Sequence, residues 1–331
     1  MNASITESDL QQQLATLGDL RAAIGQAIVG QQDVVEQLLI GLLAGGHCLL
    51  EGVPGLGKTL LVRSLGQALE LQVRRVQFTP DLMPSDILGT ELLEEDHGTG
   101  HRHFRFQPGP IFTNLLLADE LNRTPPKTQA ALLEAMQERT VSYAGVTHTL
   151  PAPFFVLATQ NPIEQAGTYP LPEAQLDRFL LHIRVDYPSE REERDILAQT
   201  TGTHSAHVPS VMHGEEVLAL QARVREVHFG EDLLGWVTRL VRATRPGEGS
   251  PAEVKQWVKW GAGPRAGQSL VLAAKARALL QGRLAATRED IVALAAPVMR
   301  HRLLLSFAAE AEQKTTDDVV ASLLRSVPFT G

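Results

Sequence analysis

The octapeptide Gly52 to Thr59, GVPGLGKT, constrains what this chain can fold into more than any other stretch. It follows the apolar run Cys48-Leu49-Leu50, precedes a helix-competent run from Leu60 to Leu69, and fits G-x-x-x-x-G-K-[ST] at every fixed position. Glycines let successive backbone N–H groups turn toward a polyphosphate, the following helix presents its positive N-terminal end, and Lys58 supplies a mobile cation. Thr59 is suited to hold Mg²⁺ through its hydroxyl. The candidate nucleotide-binding residues are therefore Gly52, Val53, Pro54, Gly55, Leu56, Gly57, Lys58 and Thr59, with Leu60 beside them. Strand, loop and helix in that order imply an α/β fold.

Composition narrows the setting. A chain of 331 residues with 44% hydrophobic and 21% charged residues has room for one large domain and a smaller one. The excess of 38 acidic over 30 basic residues weighs against a surface that as a whole attracts nucleic acid or anionic membrane, and leaves open only a local basic groove. Cys48 is the single cysteine and sits in the apolar strand, so a core thiol and a reducing, cytoplasmic compartment are expected. The first residues, MNASITESDLQQQ, lack a basic start and an apolar segment, and no run approaches the roughly 18 apolar residues of a membrane helix. Neither export nor membrane insertion is expected.

Residues 5 to 28 carry Leu10, Leu14, Leu17, Leu20, Ile24 and Ile28 at spacings of three and four, which predicts a helix with one apolar face. Val29-Gly30-Gln31-Gln32 reads as a loop before a second amphipathic helix that stops at Gly45-Gly46. Val73 to Thr79 reads as a strand, and the alternating His103-Phe104-Arg105-Phe106 as part of a hairpin inserted into a helical region. His101 and His103 do not suggest a metal site, because no cysteine or carboxylate stands at ligand spacing from them.

Leu115 to Glu120, LLLADE, is the second decisive stretch. An apolar run of buried-strand type ends in two carboxylates, so the charges sit at the carboxyl end of a core strand, where parallel sheets bind ligands. Asp119 is suited to hold Mg²⁺ through its water shell and Glu120 to polarise the attacking water of an in-line phosphoryl transfer. Phe154 to Thr159 is another buried strand, and it places the Asn161 amide at the same edge. Thr124-Pro125-Pro126 predicts a helix start with a hydroxyl cap, and Val141 to Leu150 a second hairpin around Ala144-Gly145. Leu176-Asp177-Arg178-Phe179 leads into a last strand, Leu180 to Val185, and from residue 190 the pattern is helical. A boundary near Tyr187 to Glu190 would divide a nucleotide-binding domain, 1–188, from a helical domain, 189–331. In the second part Gly261 to Arg265 opens a helix, Thr287 to Asp290 resembles a capping box, and the final dozen residues read as a tail.

Together these residues resemble a MoxR-type ATPase of the AAA+ superfamily, in its helix-2-insert clade, over essentially the whole chain. Phosphate loops are widespread. The particular stretches are RVQFTPDLMPSDILG at 75–89, LLLADELNR at 115–123, ATQNP at 158–162, LPEAQLDRFLL at 171–181 and GAGPRA at 261–266. The resemblance implies a five-stranded parallel sheet sandwiched by helices and followed by a small all-helical lid. It implies ATP and Mg²⁺ bound between the two and between neighbouring subunits of a homo-oligomeric ring, usually a hexamer. The hairpin at about 90–108 would be the insert that marks the clade, and that at about 140–150 the hairpin before the sensor strand. Val29 and Gly30 would line the adenine pocket, although spacing alone makes them only a loop between helices. By position Asn161 would be the first sensor, Arg265 the second sensor from the lid, and Arg178 the arginine finger that reaches a neighbour's γ-phosphate and ties hydrolysis to assembly. Arg123 is left as a residue that senses nucleotide or bridges subunits. Gly263 stands where relatives often have serine, and leaves Arg265 in place.

The activity the resemblance implies is ATP hydrolysis that remodels a protein client, with hairpins transmitting the motion of the lid. Relatives typically work beside proteins with a von Willebrand factor A domain. A nucleic-acid motor shares this core, but the acidic balance and the absence of Lys and Arg from Val141 to Leu150 count against it, Arg102 and Arg105 leaving little room. A metal-chelatase motor subunit shares fold and insert and differs by its partners. A scaffold without turnover is disfavoured because Lys58, Asp119, Glu120, Asn161, Arg178 and Arg265 are all present.

Overall fold

The structure is a computed structural model that describes residues 7–28, 30–53, 55–95, 101–161, 167–201 and 208–329. The α/β layer runs α1 (Glu7–Ala27), α2 (Gln32–Leu43), β1 (Cys48–Gly52), α3 (Lys58–Ala68), β2 (Val73–Gln77), α4 (Pro84–Leu88), β3 (Gly89–Glu95) and β4 (Arg102–Pro108). It continues with β5 (Leu115–Asp119), α5 (Pro126–Glu138), β6 (Thr140–Tyr143), β7 (Val146–Thr149), β8 (Phe155–Gln160), α6 (Glu173–Leu176) and β9 (Leu181–Val185). The helical part has α7 (Glu190–Thr200), α8 (Gly214–Glu226), α9 (Glu231–Ala243), α10 (Ala252–Trp257), β10 (Val258–Trp260) and α11 (Pro264–Leu280). It ends with α12 (Arg288–Met299), β11 (Leu304–Leu305), α13 (Phe307–Ala311) and α14 (Thr316–Ser326).

Five strands pair in parallel in the order β2-β5-β8-β1-β9. The inner strands β1, β5 and β8 are near-continuous apolar runs, as strands covered on both faces must be. At the edge, β2 exposes Arg74 and Arg75, charges that discourage pairing with another chain. All five strands point the same way. The phosphate loop after β1, the acids after β5 and Asn161 after β8 therefore emerge at one edge, and the segments entering β1 and β9, with His47 and Arg178, lie at the other.

Each face of the sheet has its own apolar cluster. On one face Leu132, Leu133 and Met136 of α5 pack with Phe78, Ile87 and Phe179. On the other the core continues from α2 and α3 into the helical part through Leu38, Leu65, Leu220, Trp236, Leu270 and Leu294. The helical part is thus seated on the sheet layer by a shared core. Polar clamps add direction to it: Gln221 Nε2 donates to the Leu42 carbonyl at 2.7 Å, and Arg277 Nε to Glu36 Oε1 at 3.0 Å.

Three local expectations change. Thr124 does not cap α5; its hydroxyl turns to the Leu82 carbonyl, to which Thr128 Oγ1 also donates at 2.8 Å, and Pro125 is the residue ahead of the helix. Among its described residues the helical part contains a short antiparallel ribbon, β10 with β11, too brief for any alternation to register in the sequence. The final dozen residues, as far as Phe329, where the described residues end, are not a tail. Most of them lie in α14, Trp236 Nε1 donates to the Val327 carbonyl at 3.1 Å, and Phe329 packs edge-on to the Trp236 ring.

Both hairpins form where the spacing puts them, β3 with β4 and β6 with β7. Ala144 and Gly145, at φ +47° and +82°, make the two-residue turn that suits the twist of such a pair. Phe106 stacks on His148 with 4.2 Å between ring centroids, which docks one hairpin on the other. Leu93 and Phe104 pair farther out and are 56% and 69% exposed.

Candidate active site

The turn out of β1 depends on glycine. Gly55 and Gly57 have φ of +86° and +72°, which other residues seldom adopt, and a Cβ on Gly52 would stand 2.8 Å from the Val185 carbonyl oxygen. Gly57 directly precedes α3, so the unpaired N–H groups of that helix's first turn face the loop. Lys58 Nζ donates to the Gly52 carbonyl at 2.6 Å. Desolvation lowers its pKa, and the charges of Asp119, Glu120 and Glu51 oppose that. Gln31 Nε2 donates to the Leu56 carbonyl at 3.0 Å, which brings the loop carrying Gly30 against the phosphate loop. Val29 and Pro54 lie outside the described residues.

A cavity of 280 Å³ opens between this loop and the ends of β5 and β8, lined by Gly55, Gly57, Lys58, Thr59, Arg75, Asp119, Glu120, Thr159 and Asn161. Residues from four separate stretches of sequence meet in it. Leu60 is exposed and does not line it, and Val53 borders a neighbouring cavity of 320 Å³ with Arg184 and Tyr187. Arg75 and Thr159 are new members. Arg75 Nη2 and Nε donate to Asp119 Oδ2 at 2.7 and 3.0 Å, and Thr159 Oγ1 donates to Asp119 Oδ1 at 2.6 Å. The same hydroxyl accepts the Glu120 N–H at 2.9 Å.

Glu120 sits in the left-handed region at φ +58°, an uncommon place for a residue with a Cβ. Its carboxylate accepts from Gln77 Nε2 at 2.6 Å and from Arg123 Nη1 at 2.9 Å. The sheet register accounts for this network, since Gln77 pairs with Asp119 across β2 and β5 and Arg75 lies two residues back on the same face. Once β2 was placed beside β5, that pairing was the signal available in the sequence. The Thr59 hydroxyl and the Asp119 carboxylate are the groups that could hold Mg²⁺. They are oxygen donors, one of them anionic, on the walls of one cavity, which fits a hard cation that keeps several of its own waters.

Arg178 and Arg265 are not in this cavity. With Arg139, His47 and the backbone of Gly45 and Gly46 they line a separate pocket of 210 Å³ where the chain enters β1 and β9. A five-residue strand, about 16 Å long, separates the two edges of the sheet. Nucleotide bound between the sheet and the lid of one chain, as the resemblance implied, would not meet Arg265. Asp177 holds this second cluster together: its Oδ2 pairs with Arg265 Nη1 at 3.4 Å and its Oδ1 with Arg302 Nε at 2.7 Å. Arg302 is buried and also donates to the Phe179 carbonyl at 2.7 Å, to Ser269 Oγ at 3.1 Å and to the Val298 carbonyl. Burial pulls its pKa below the ordinary guanidinium range, and Asp177 opposes that. One buried arginine thus staples the segment carrying Arg178 to the helix carrying Arg265.

Comparison with known proteins gives this geometry its family. The profile described as ATPase family associated with various cellular activities (AAA) matches residues 47–181, and that of the AAA lid domain matches 252–323. Chaperone MoxR1 of Mycobacterium tuberculosis is 44% identical over 305 residues, 92% of this chain and 80% of that one. This chain belongs to the MoxR family of AAA+ ATPases. Another member, Protein MoxR of Paracoccus denitrificans, is 34% identical over 321 residues, 92% of this chain and 93% of its own. A crystal structure of a candidate ATPase from Cytophaga hutchinsonii matches with a TM-score of 0.90 and 39% identity, covering 98% of each chain. The MoxR-family chain is accordingly a nucleotide-binding ATPase of chaperone-like function. Its parallel sheet layer is the AAA fold and its helical part carries the AAA lid. No helix among the described residues is long and apolar enough to cross a membrane.

Proposed function

We propose that this MoxR-family ATPase works as a ring, a hexamer by resemblance, in which each ATP lies between the phosphate loop of one copy and the arginine pocket of the next. The observation that carries the reading is the separation of the two clusters: Lys58, Asp119, Glu120 and Asn161 line one cavity, and Arg178 and Arg265 line another at the opposite sheet edge. Neither cluster completes a hydrolysis site alone. The backbone from Gly55 to Thr59 and the Lys58 ammonium hold the phosphates. Thr59 and Asp119 would hold Mg²⁺, which would supply positive charge beside the phosphates. Glu120, released from Gln77 and Arg123, takes the proton of the attacking water, and the Asn161 amide orients that water. Arg178 and Arg265 from the neighbouring copy meet the charge that builds on the transferred phosphoryl group.

The work done with that energy is remodelling of a protein client in the cytoplasm, with a von Willebrand factor A domain protein as the partner the family resemblance suggests. The exposed Leu92, Leu93 and Phe104 of the insert hairpin favour a protein over a nucleic acid, since they offer apolar contact and no phosphate recognition. The ring reading is tested by measuring ATP turnover per chain across a dilution series while assembly is followed by mass photometry. Turnover per chain should rise with the assembled fraction. A dilute, monomeric chain that hydrolyses ATP at the full rate would contradict it.

A further inference from the structure

The pocket at the entering edge contains a third arginine. Arg139 directly follows α5, and its backbone lies in the left-handed region at φ +56°, where a helix end ordinarily takes glycine. Helix α2 ends beside it with the same backbone geometry, and there glycine is used, Gly45 at φ +70°. Arg139 Nη2 donates to the Gly45 carbonyl at 3.0 Å. That single bond occupies one of five guanidinium N–H groups, and the side chain lines the same pocket as Arg178 and Arg265.

His47 anchors the helix end that carries this arginine. Its Nδ1 accepts the Val156 N–H at 3.0 Å, which leaves Nε2–H to donate to the Met136 carbonyl at 3.0 Å, tying the last turn of α5 to the start of the sheet. The ring is neutral: burial, helped by the charge of Arg139, pushes its pKa down to about 4 against the hydrogen bond to Met136. The positive charge of the pocket is therefore that of the three guanidiniums. The facing acid, Asp177, is already paired with Arg302 and Arg265.

We propose that Arg139 is a third arginine acting across the subunit interface, joining Arg178 and Arg265 on the terminal phosphate of the ATP bound to the neighbouring copy. The proposal rests on the ring reading above. A planar, permanently charged fork suits the non-bridging oxygens of a triphosphate. The three arginines come from the end of α5, the entry to β9 and the start of α11, so a shift of the lid against the sheet layer changes their spacing and with it the rate.

Arg139→Gly is the discriminating variant, because glycine suits this backbone. A residue that only caps Gly45 would leave turnover close to wild type. The expected result is an unchanged melting temperature, unchanged ATP affinity and a kcat lower by roughly ten- to a hundredfold, the effect of one lost charge-assisted hydrogen bond. Mixing with Glu120→Gln chains should restore turnover, since the Arg139→Gly phosphate loop then faces an intact arginine pocket. Arg178→Ala mixed with Glu120→Gln is the control. If that pair is rescued while Arg139→Gly either keeps the wild-type kcat or is not rescued, Arg139 has no such role and the ring reading stands. If neither pair is rescued in mixed assemblies verified by mass, both fail. Should Arg139→Gly not assemble, Arg139→Lys decides the matter: a lowered kcat at unchanged melting temperature supports the role, and a wild-type kcat overturns it.

Discussion

The two edges of the central sheet differ in how they are built. At the carboxyl edge the functional groups arrive in short contiguous motifs, GVPGLGKT, LLLADE and ATQN, each delivered by the end of a buried strand. At the amino edge Arg139, Arg178 and Arg265 come from unconnected elements and are held by Asp177, Arg302 and His47, none of which belongs to a phosphate-binding motif. Binding a nucleotide is thus a local property of the chain. Hydrolysing it, on the reading proposed here, depends on how the chain packs and with what it assembles.

The sharpest way to break this contrast is at Arg178. Arg178→Ala should lower kcat by about 10³-fold or more, the scale of an arginine finger, while a nucleotide-affinity titration stays at the wild-type value. A loss of affinity equal to the loss of rate would mean that the two edges do not divide the labour in this way. A smaller effect is expected at Arg302, which lines neither cavity. Arg302→Met removes the shorter of the two ion pairs of Asp177 and one of the two donors to the Phe179 carbonyl, leaving Arg265 and His301 as the remaining partners, and should destabilise the fold by about 1–3 kcal/mol, read by thermal or urea unfolding. An unchanged stability would show that the lid is held by its apolar core alone.

A further effect, absent at neutral pH, is a pH dependence that belongs to the amino edge. His47 in the folded chain has its pKa pushed down to about 4, against an ordinary 6.5. Between those values the unfolded chain binds a proton that the folded chain does not. Stability is therefore full above about pH 6.5 and falls as pH drops toward 4, by up to about 1.4 kcal/mol per pH unit. His301, buried and also held well below its ordinary range, steepens the same slope. Melting temperatures across this window should show the fall, and His47→Gln should flatten part of it. A flat wild-type profile would mean that the imidazoles are not neutral and buried.

The carboxyl edge was legible because its chemistry is contiguous and lies where a parallel sheet must put it. The three inner strands of the sheet were legible for a related reason, as apolar runs bounded by turns. Arg75 and Gln77 escaped because register, not sequence proximity, brings them to Asp119 and Glu120, across 44 and 43 positions. Arg139 reads in sequence as an ordinary charged helix end; only the left-handed backbone and the facing arginines set it apart. The last turn of the chain escaped because Val327 and Phe329 follow no periodicity, and their partner, Trp236, is 91 residues from the first of them. Thr124 fits the pattern of a helix cap, and a tertiary acceptor, the Leu82 carbonyl, takes its hydroxyl instead.

The central claim is that a working site needs the carboxyl edge of one chain and the amino edge of another. Its most direct test is to mix Glu120→Gln and Arg178→Ala chains, each inactive alone, and to measure ATP turnover as their ratio is varied at constant total protein. Turnover should appear in the mixture and peak at intermediate ratios, because an Arg178→Ala phosphate loop then faces an intact arginine pocket on its neighbour. Mixed assemblies that form and yet stay inactive at every ratio would contradict it.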